Sequence, residues 1–238
     1  MDTELYADHI AQHYAAYRPP LHEVILKRII GERRYRQGLD IGCGTGQSSL
    51  ALLPFCHQVV GIDPSREMLA ETIKNECITY QYFDKEHLDF ADGSFDIITL
   101  AGSLFYGKSQ QLIDEIIRVM EPGGHAIVYD FNIHLETLSA ILPIPEVSDY
   151  YDHSVNFSGL QLGNLTEITH QEVKESLRIS TENQSHLLLS EQPTYLAIKA
   201  LSPKQELYPL VLEKLNEMNP QQQIKLPVNL FWSLYEKQ

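Results

Sequence analysis

Between Leu21 and Ile30 the apolar residues Leu21, Val24, Ile25, Ile29 and Ile30 recur at the spacing of one helical face, and Gly31 stands where such a helix would end. A short strand, Gly38 to Ile41, follows and runs straight into Gly42-Cys43-Gly44-Thr45-Gly46, then into the helix-compatible stretch Ser48 to Leu53. The β-branched run Gln58 to Ile62 predicts a second strand closed by Asp63-Pro64-Ser65, and Met68, Leu69 and Ile73 mark the face of a second helix. Cys77–Tyr82 and Phe95–Leu100 read as the third and fourth strands. Leu112, Ile113, Ile116, Ile117 and Met120 predict an amphipathic helix over 110–120. Pro122-Gly123-Gly124 predicts a tight turn into a fifth strand, His125–Asp130. Strands that alternate with helices and carry apolar interiors indicate a mostly parallel sheet covered on both faces.

Beyond Phe131 the pattern weakens. Leu142 to Pro145 is broken by proline, and Tyr150 to Thr166 holds aromatics without a period. Weak alternation returns over 168–179, Leu207–Met218 reads as an amphipathic helix, and Ile224–Tyr235 reads as a last strand. Pro227 inside that strand argues for an edge, a bulge or a late start. The predicted organisation is a single domain over 1–238: a lid and helix in 1–36, a core in 37–131, and an insertion or cap with the final strands in 132–238.

Composition narrows the function. A chain of 238 residues, 43% of them hydrophobic, is enough for one sizeable α/β domain. With 18 Lys and Arg against 32 Asp and Glu, the net charge of −14 repels nucleic acid and anionic lipid, so a small-molecule partner fits better. Three cysteines without CxxC spacing suggest neither a disulfide framework nor a zinc site. The polar start, Met1 to His9, and the lack of a long apolar run predict no leader and no membrane span. A reducing cytoplasm is the expected location, and the oligomeric state is not encoded.

The chemistry concentrates in the glycine loop. Glycines 42, 44 and 46 after a strand let the backbone turn sharply and approach a ligand, while the next helix presents unpaired N–H groups. The spacing is G-x-G-x-G, and Gln47 stands where a dinucleotide fingerprint places its last glycine, so pyrophosphate binding is demoted. Asp63 ends the second strand, where a carboxylate accepts both hydroxyls of a ribose; capping the helix after Pro64 is the alternative reading.

Leu39-Asp40-Ile41-Gly42-Cys43-Gly44-Thr45-Gly46 resembles the first motif of the class I S-adenosylmethionine-dependent methyltransferases, in its small-molecule branch. Val60-Gly61-Ile62-Asp63 resembles the second motif, Phe83-Asp84 to Asp96 the third region, and Glu121-Pro122-Gly123-Gly124-His125 the later turn. The resemblance implies a Rossmann-like, seven-stranded, mostly parallel sheet with helices on both faces, an N-terminal helical lid and a C-terminal cap. It also implies S-adenosylmethionine as cofactor, with the loop around its methionine part. Asp40 would order that loop and receive the ammonium, and Asp84 would accept from the adenine amino group. Small residues from Ala101 onward would leave room for the cofactor. Tyr14-Ala15-Ala16-Tyr17-Arg18-Pro19 resembles a lid element, in which Arg18 would grip the carboxylate and Tyr14 and Tyr17 would cover the sulfonium. The aromatic Asn/Asp-Pro-Pro signature of base and glutamine methylation is missing from Ala101–Tyr106.

Transfer from a sulfonium is an in-line displacement, so alignment and exclusion of water are the protein's main tasks. A base is needed only if the acceptor must lose a proton. His9, His13, Asp130 and His134 are the candidates, none privileged by sequence, and no catalytic residue or metal ligand is assigned. Tyr150, Tyr151 and the segments after Phe131 are expected to shape the acceptor pocket, and Asp149, Asp152 and His153 at most to line it. Two other readings remain in competition: a regulatory binder of S-adenosylmethionine or its product, and a nicotinamide-dependent oxidoreductase on the same kind of sheet.

Overall fold

The computed structural model describes residues 9–10, 12–13, 16–84, 87–139, 142, 144 and 151–238. Seven strands form one sheet: β1 (Tyr35–Ile41), β2 (Cys56–Asp63), β3 (Ile78–Tyr82), β4 (Phe95–Ala101), β5 (Met120–Ile133), β6 (Leu165–Ser180) and β7 (Gln223–Lys237). Their order is β3-β2-β1-β4-β5-β7-β6. The pairs β1–β2, β1–β4, β2–β3 and β4–β5 are parallel. His125 lies by Glu236 while the His134 N–H donates to Pro227 O. Likewise His170 bonds Ser233 while the Thr181 N–H donates to Gln222 O. In both series one number rises as the other falls, so β7 runs antiparallel to β5 and β6. The expected seven-stranded, mostly parallel sheet is therefore present.

The chain folds into two compact units whose segments alternate along the sequence. The first holds Pro20–Phe131, Tyr151–Val173 and Leu230–Gln238. Its core is built from the inward residues of the central strands, such as Leu39, Ile98 and Val128, with Phe157 and Tyr235. Helix α1 (Leu21–Ile30) ends as predicted at Gly31, whose φ of +63° suits glycine and whose N–H returns to Lys27 O. Short helices α2 (Gln47–Leu52) and α3 (Arg66–Ala70) follow β1 and β2. Helix α4 (Gln110–Val119) starts at Ser109, whose hydroxyl accepts from the Leu112 N–H, and buries Leu112, Ile113, Ile116 and Val119. Each of those side chains contributes roughly 1.5–3 kcal/mol of burial.

Two boundaries differ from expectation for physical reasons. Strand β1 begins three residues early because the Asp96 carboxylate accepts the Arg36 and Gln37 N–H groups, which lets these polar residues stay extended. Strand β5 also starts early, at Met120. The expected Pro122-Gly123-Gly124 turn is an irregularity within it: Phe95 pairs with Met120, but Ile97, two residues on, pairs with His125.

The second unit holds 1–19, 132–150 and 174–229. It contains α5 (Thr181–Ser190), α6 (Gln192–Leu201) and α7 (Leu207–Met218), packed through Leu187, Leu188, Tyr195, Val211 and Leu215 with Ile224 and Leu226. Helix α7 has the predicted bounds, whereas α5 and α6 have no counterpart in the sequence pattern. No helix among the described residues is long and apolar enough to cross a membrane.

Candidate functional site

The carboxyl ends of β1, β2 and β4 surround a cavity of about 380 Å³ within the first unit. Its walls include Ile41, Gly42 and Gly44 after β1, Asp63 to Ser65 and Met68 after β2, and Leu100 to Ser103 after β4. Phe83, Leu112 and Tyr106 supply apolar surface. Open parallel sheets place ligands at this edge, where the connections on either side of the first strand diverge.

The glycine loop folds over the end of β2. The Gly42 and Cys43 N–H groups both donate to Ile62 O, at 2.8 and 3.0 Å, and the Gly46 N–H donates to Cys43 O. The three glycines serve different ends. A Cβ on Gly42 would collide with the Ser103 side chain, and one on Gly46 would collide with the Tyr80 ring and hydroxyl. Only at Gly44 would it meet open space, on the cavity wall. All three have positive φ, +74°, +52° and +89°. The expected approach to a ligand therefore rests on Gly44, while Gly42 and Gly46 make room for the protein's own side chains.

Asp63 is 8% exposed and faces the cavity. Its Oδ2 accepts the Gly44 N–H at 2.8 Å and its Oδ1 accepts the Ser65 N–H at 2.8 Å. Each carboxylate oxygen takes more than one hydrogen bond, so both retain capacity towards the cavity. The cap of α3 is instead Ser65, whose hydroxyl accepts the Met68 N–H.

Asp40 is fully buried and is not part of the cavity wall. Its Oδ2 accepts from the Ser48 and Ser49 hydroxyls, both at 2.6 Å, and its Oδ1 accepts from Thr99 at 2.9 Å. Burial pushes its carboxyl above the ordinary range, and the three hydroxyls oppose that rise. This arrangement ties β1, α2 and β4 together. Cys43 is likewise buried off the wall, its thiol pushed well up by burial and by the neighbouring carboxylates of Asp40 and Asp63.

Pro64 and Ala101 also line the cavity. Asp84 lies in an adjoining hollow of about 230 Å³ with Gln81, Tyr82 and Leu88, and Phe83 lines both spaces. Arg18 belongs to the second unit, where its Nη1 lies 4.0 Å from Glu191. Tyr17 packs on that unit's apolar core, whereas Tyr14 falls outside the described residues. Asp149 and Tyr150 also fall outside them.

The base candidates separate. His13 bonds His186 at 2.9 Å and stacks on Tyr208, with burial and His186 lowering its pKa, and His134 bonds Glu136 at 2.6 Å. Asp130, at the carboxyl end of β5, bonds His153 Nδ1 at 2.9 Å, a pairing that a separation of 23 positions and an irregular segment conceal in the sequence. The wall residues Met68 and Leu112 read from the sequence only as helix positions, whereas Phe83 opens the third motif region. The one signal that points to Met68 and Leu112 there is their closeness to the quoted motifs.

Residues 39–128 match the methyltransferase domain family. A protein of Dictyostelium discoideum described as a methyltransferase is 23% identical over 145 residues, 60% of this chain and 55% of that one. A demethylmenaquinone methyltransferase of Beutenbergia cavernae is 31% identical over 153 residues, 56% of this chain and 64% of that one. The chain thus spans rather more than half the length of these curated relatives. A solved structure described as a type II methyltransferase from Anaeromyxobacter dehalogenans superposes with a TM-score of 0.63 at 16% identity, over 93% of this chain and 98% of that one. At that identity the likeness speaks for the fold.

Proposed function

We propose, starting from a chain whose residues 39–128 match the methyltransferase domain family and whose sheet has the fold of a solved methyltransferase, that the protein moves a methyl group from S-adenosylmethionine to a small organic acceptor. The observation that carries this reading is the cavity itself: an open glycine wall at Gly44 faces a carboxylate, Asp63, whose oxygens keep hydrogen-bonding capacity. A nucleoside with a free diol fits that pair, and the negative carboxylate disfavours a 2′-phosphate. When bound, the cofactor supplies an already activated methyl group.

The chain's own residues do the rest. Asp63 holds the sugar and, through the Gly44 N–H, keeps the loop shaped around it. Asp40 orders that loop from behind. Phe83, Leu100 and Leu112 exclude water from one wall, and Ala101 and Gly102 keep the floor of the transfer end low. Asp84, in the hollow beyond Phe83, would accept from the base. The Beutenbergia relative is named for demethylmenaquinone; the acceptor of this chain is proposed only as a small organic molecule.

A thermal-shift titration tests the reading. S-adenosylhomocysteine at about 100 times its dissociation constant should add roughly 2.7 kcal/mol of stability. Asp63→Ala should raise that dissociation constant at least tenfold. Stabilisation by NADH with no response to S-adenosylhomocysteine would overturn the assignment. Tight binding without label transfer to any acceptor in a metabolite extract would favour the regulatory binder.

A further inference from the structure

The hollow that adjoins the main cavity has a wall that helix α4 holds in place. Asp84, His87, Leu88 and Phe90 belong to that wall. One ion pair on α4, Glu115 with Arg118, secures it. Glu115 Oε2 accepts the Leu88 N–H at 2.8 Å, and Arg118 donates to Leu88 O at 2.8 Å and to Phe90 O at 2.7 Å. Arg118 also donates to both Glu115 oxygens and to Asp92 Oδ1, each at 2.8 Å. Leu88 is buried, and the Phe90 ring packs edge-on against Phe95 at 4.9 Å. The segment 88–92 is thus fixed through backbone and side chains together, although it belongs to no strand or helix.

His87 is the wall residue that this clamp orients. Its Nδ1 lies 2.6 Å from Glu115 Oε2, while its side chain is 65% exposed. Arg118 holds the Glu115 carboxyl down to about 2, so the carboxylate stays ionised and keeps an imidazole proton on Nδ1. In the neutral ring the other nitrogen, Nε2, is then an acceptor, and no bond to a described residue occupies it. An ion pair with one partner so exposed adds little to stability, whereas a fixed acceptor on the wall of a ligand hollow adds selectivity. The exocyclic amine of a purine has two N–H groups to give. Asp84 and His87 are two acceptors on one wall, and an oxo group in place of the amine would turn a third acceptor towards them.

We propose that His87, positioned by the Glu115–Arg118 pair, is a specificity-determining residue for the amino-bearing purine of the cofactor and shares its two N–H groups with Asp84; this rests on the methyl-transfer reading above. Glu115 and Arg118 touch no ligand in this scheme. They act by holding the imidazole and the backbone that follows it.

The test is calorimetry on the full chain with two probes, S-adenosylhomocysteine and S-inosylhomocysteine, which carries an oxo group in place of the amine. The parent should prefer the first by roughly 100-fold. His87→Ala should cut that preference about tenfold, the worth of one hydrogen bond, with its urea midpoint unchanged. Glu115→Gln should cut it as well, and the double variant should fall no further than His87→Ala alone. A preference in His87→Ala within threefold of the parent's would overturn the role, and this includes the case in which both ligands weaken equally. Losses that multiply in the double variant would show that Glu115 does not act through His87 and would overturn the positioning. A parent that binds both probes equally would overturn the proposal while leaving the methyltransferase reading intact. Absence of S-adenosylhomocysteine binding would sink that reading first, and this one with it.

Discussion

Removing the Asp40 carboxylate should reveal how much the loop depends on a residue that never reaches the cavity. Three hydroxyls converge on it, and Ser48, Ser49 and Thr99 are 5%, 0% and 0% exposed. Asp40→Ala leaves all three without their acceptor in a dry interior. At about 1–3 kcal/mol per stranded buried group, with some hydroxyls rotating to new partners, the loss should be roughly 3–6 kcal/mol. Asp40→Asn is the sharper control. Its amide oxygen takes over the two serines, and its NH₂ donates to Thr99, whose hydroxyl turns to accept, so the cost should be about 1–2 kcal/mol. Urea unfolding followed by the fluorescence of the single tryptophan, Trp232, reports on the same unit. A loss below 1 kcal/mol for Asp40→Ala, or equal losses for both variants, would refute the argument. The charge adds a signature. Because burial raises the carboxyl's pKa, the folded chain keeps a proton that the unfolded chain has already released above about 3.9. Stability from this group therefore falls as pH rises through that window, so wild-type stability minus that of Asp40→Asn should decline with rising pH.

Gly42→Ala should cost roughly 2–4 kcal/mol through its left-handed backbone and the collision with Ser103, with Ser103→Gly recovering the collision part in the same urea assay. Gly44→Ala meets nothing, so it should cost only about 1–2 kcal/mol while weakening S-adenosylhomocysteine binding at least tenfold by calorimetry; unchanged affinity would remove Gly44 from the site. Arg118 holds the Glu115 carboxyl down to about 2, through bonds of 2.8 Å to both oxygens. That stabilisation is complete above about 4.5 and disappears as pH falls towards 2. Glu115→Gln should therefore flatten the acid limb of a stability profile, and an unaltered limb would count against the pairing.

The first half of the molecule is legible in the sequence because its information is local. Gly31 closes a helix, and the run Asp40 to Gly46 imposes a bend that few other functions need. Asp63 sits at a fixed distance from that bend. The chemistry within the loop is less legible, since Gly42 and Gly46 answer to Ser103 and Tyr80, partners 61 and 34 positions away, which local spacing does not reveal. Helix α5 escapes a periodicity search because Thr181, Gln184, Ser185 and Ser190 are buried beside its leucines and erase the stripe that marks an amphipathic helix. Most of β6 is exposed or half-buried, with Glu167, Glu172 and Lys174 along it, so its alternation is faint. Asp130 and His153 each stand out by residue type, but nothing in a linear chain announces that one holds the other.

The sheet order carries a consequence for how the molecule assembles. Strand β6 leaves the ribosome before β7, yet among the described strands β7 is its sole neighbour and stands between it and β5. Until the later strand arrives, β5 and β6 each present a raw row of backbone donors and acceptors with nothing to saturate it. The nascent protein must therefore keep two open seams apart and solvated, then close both with one insertion. That step is intrinsically slow and exposed to pairing with other chains, so chaperone dependence in this protein should be sought there.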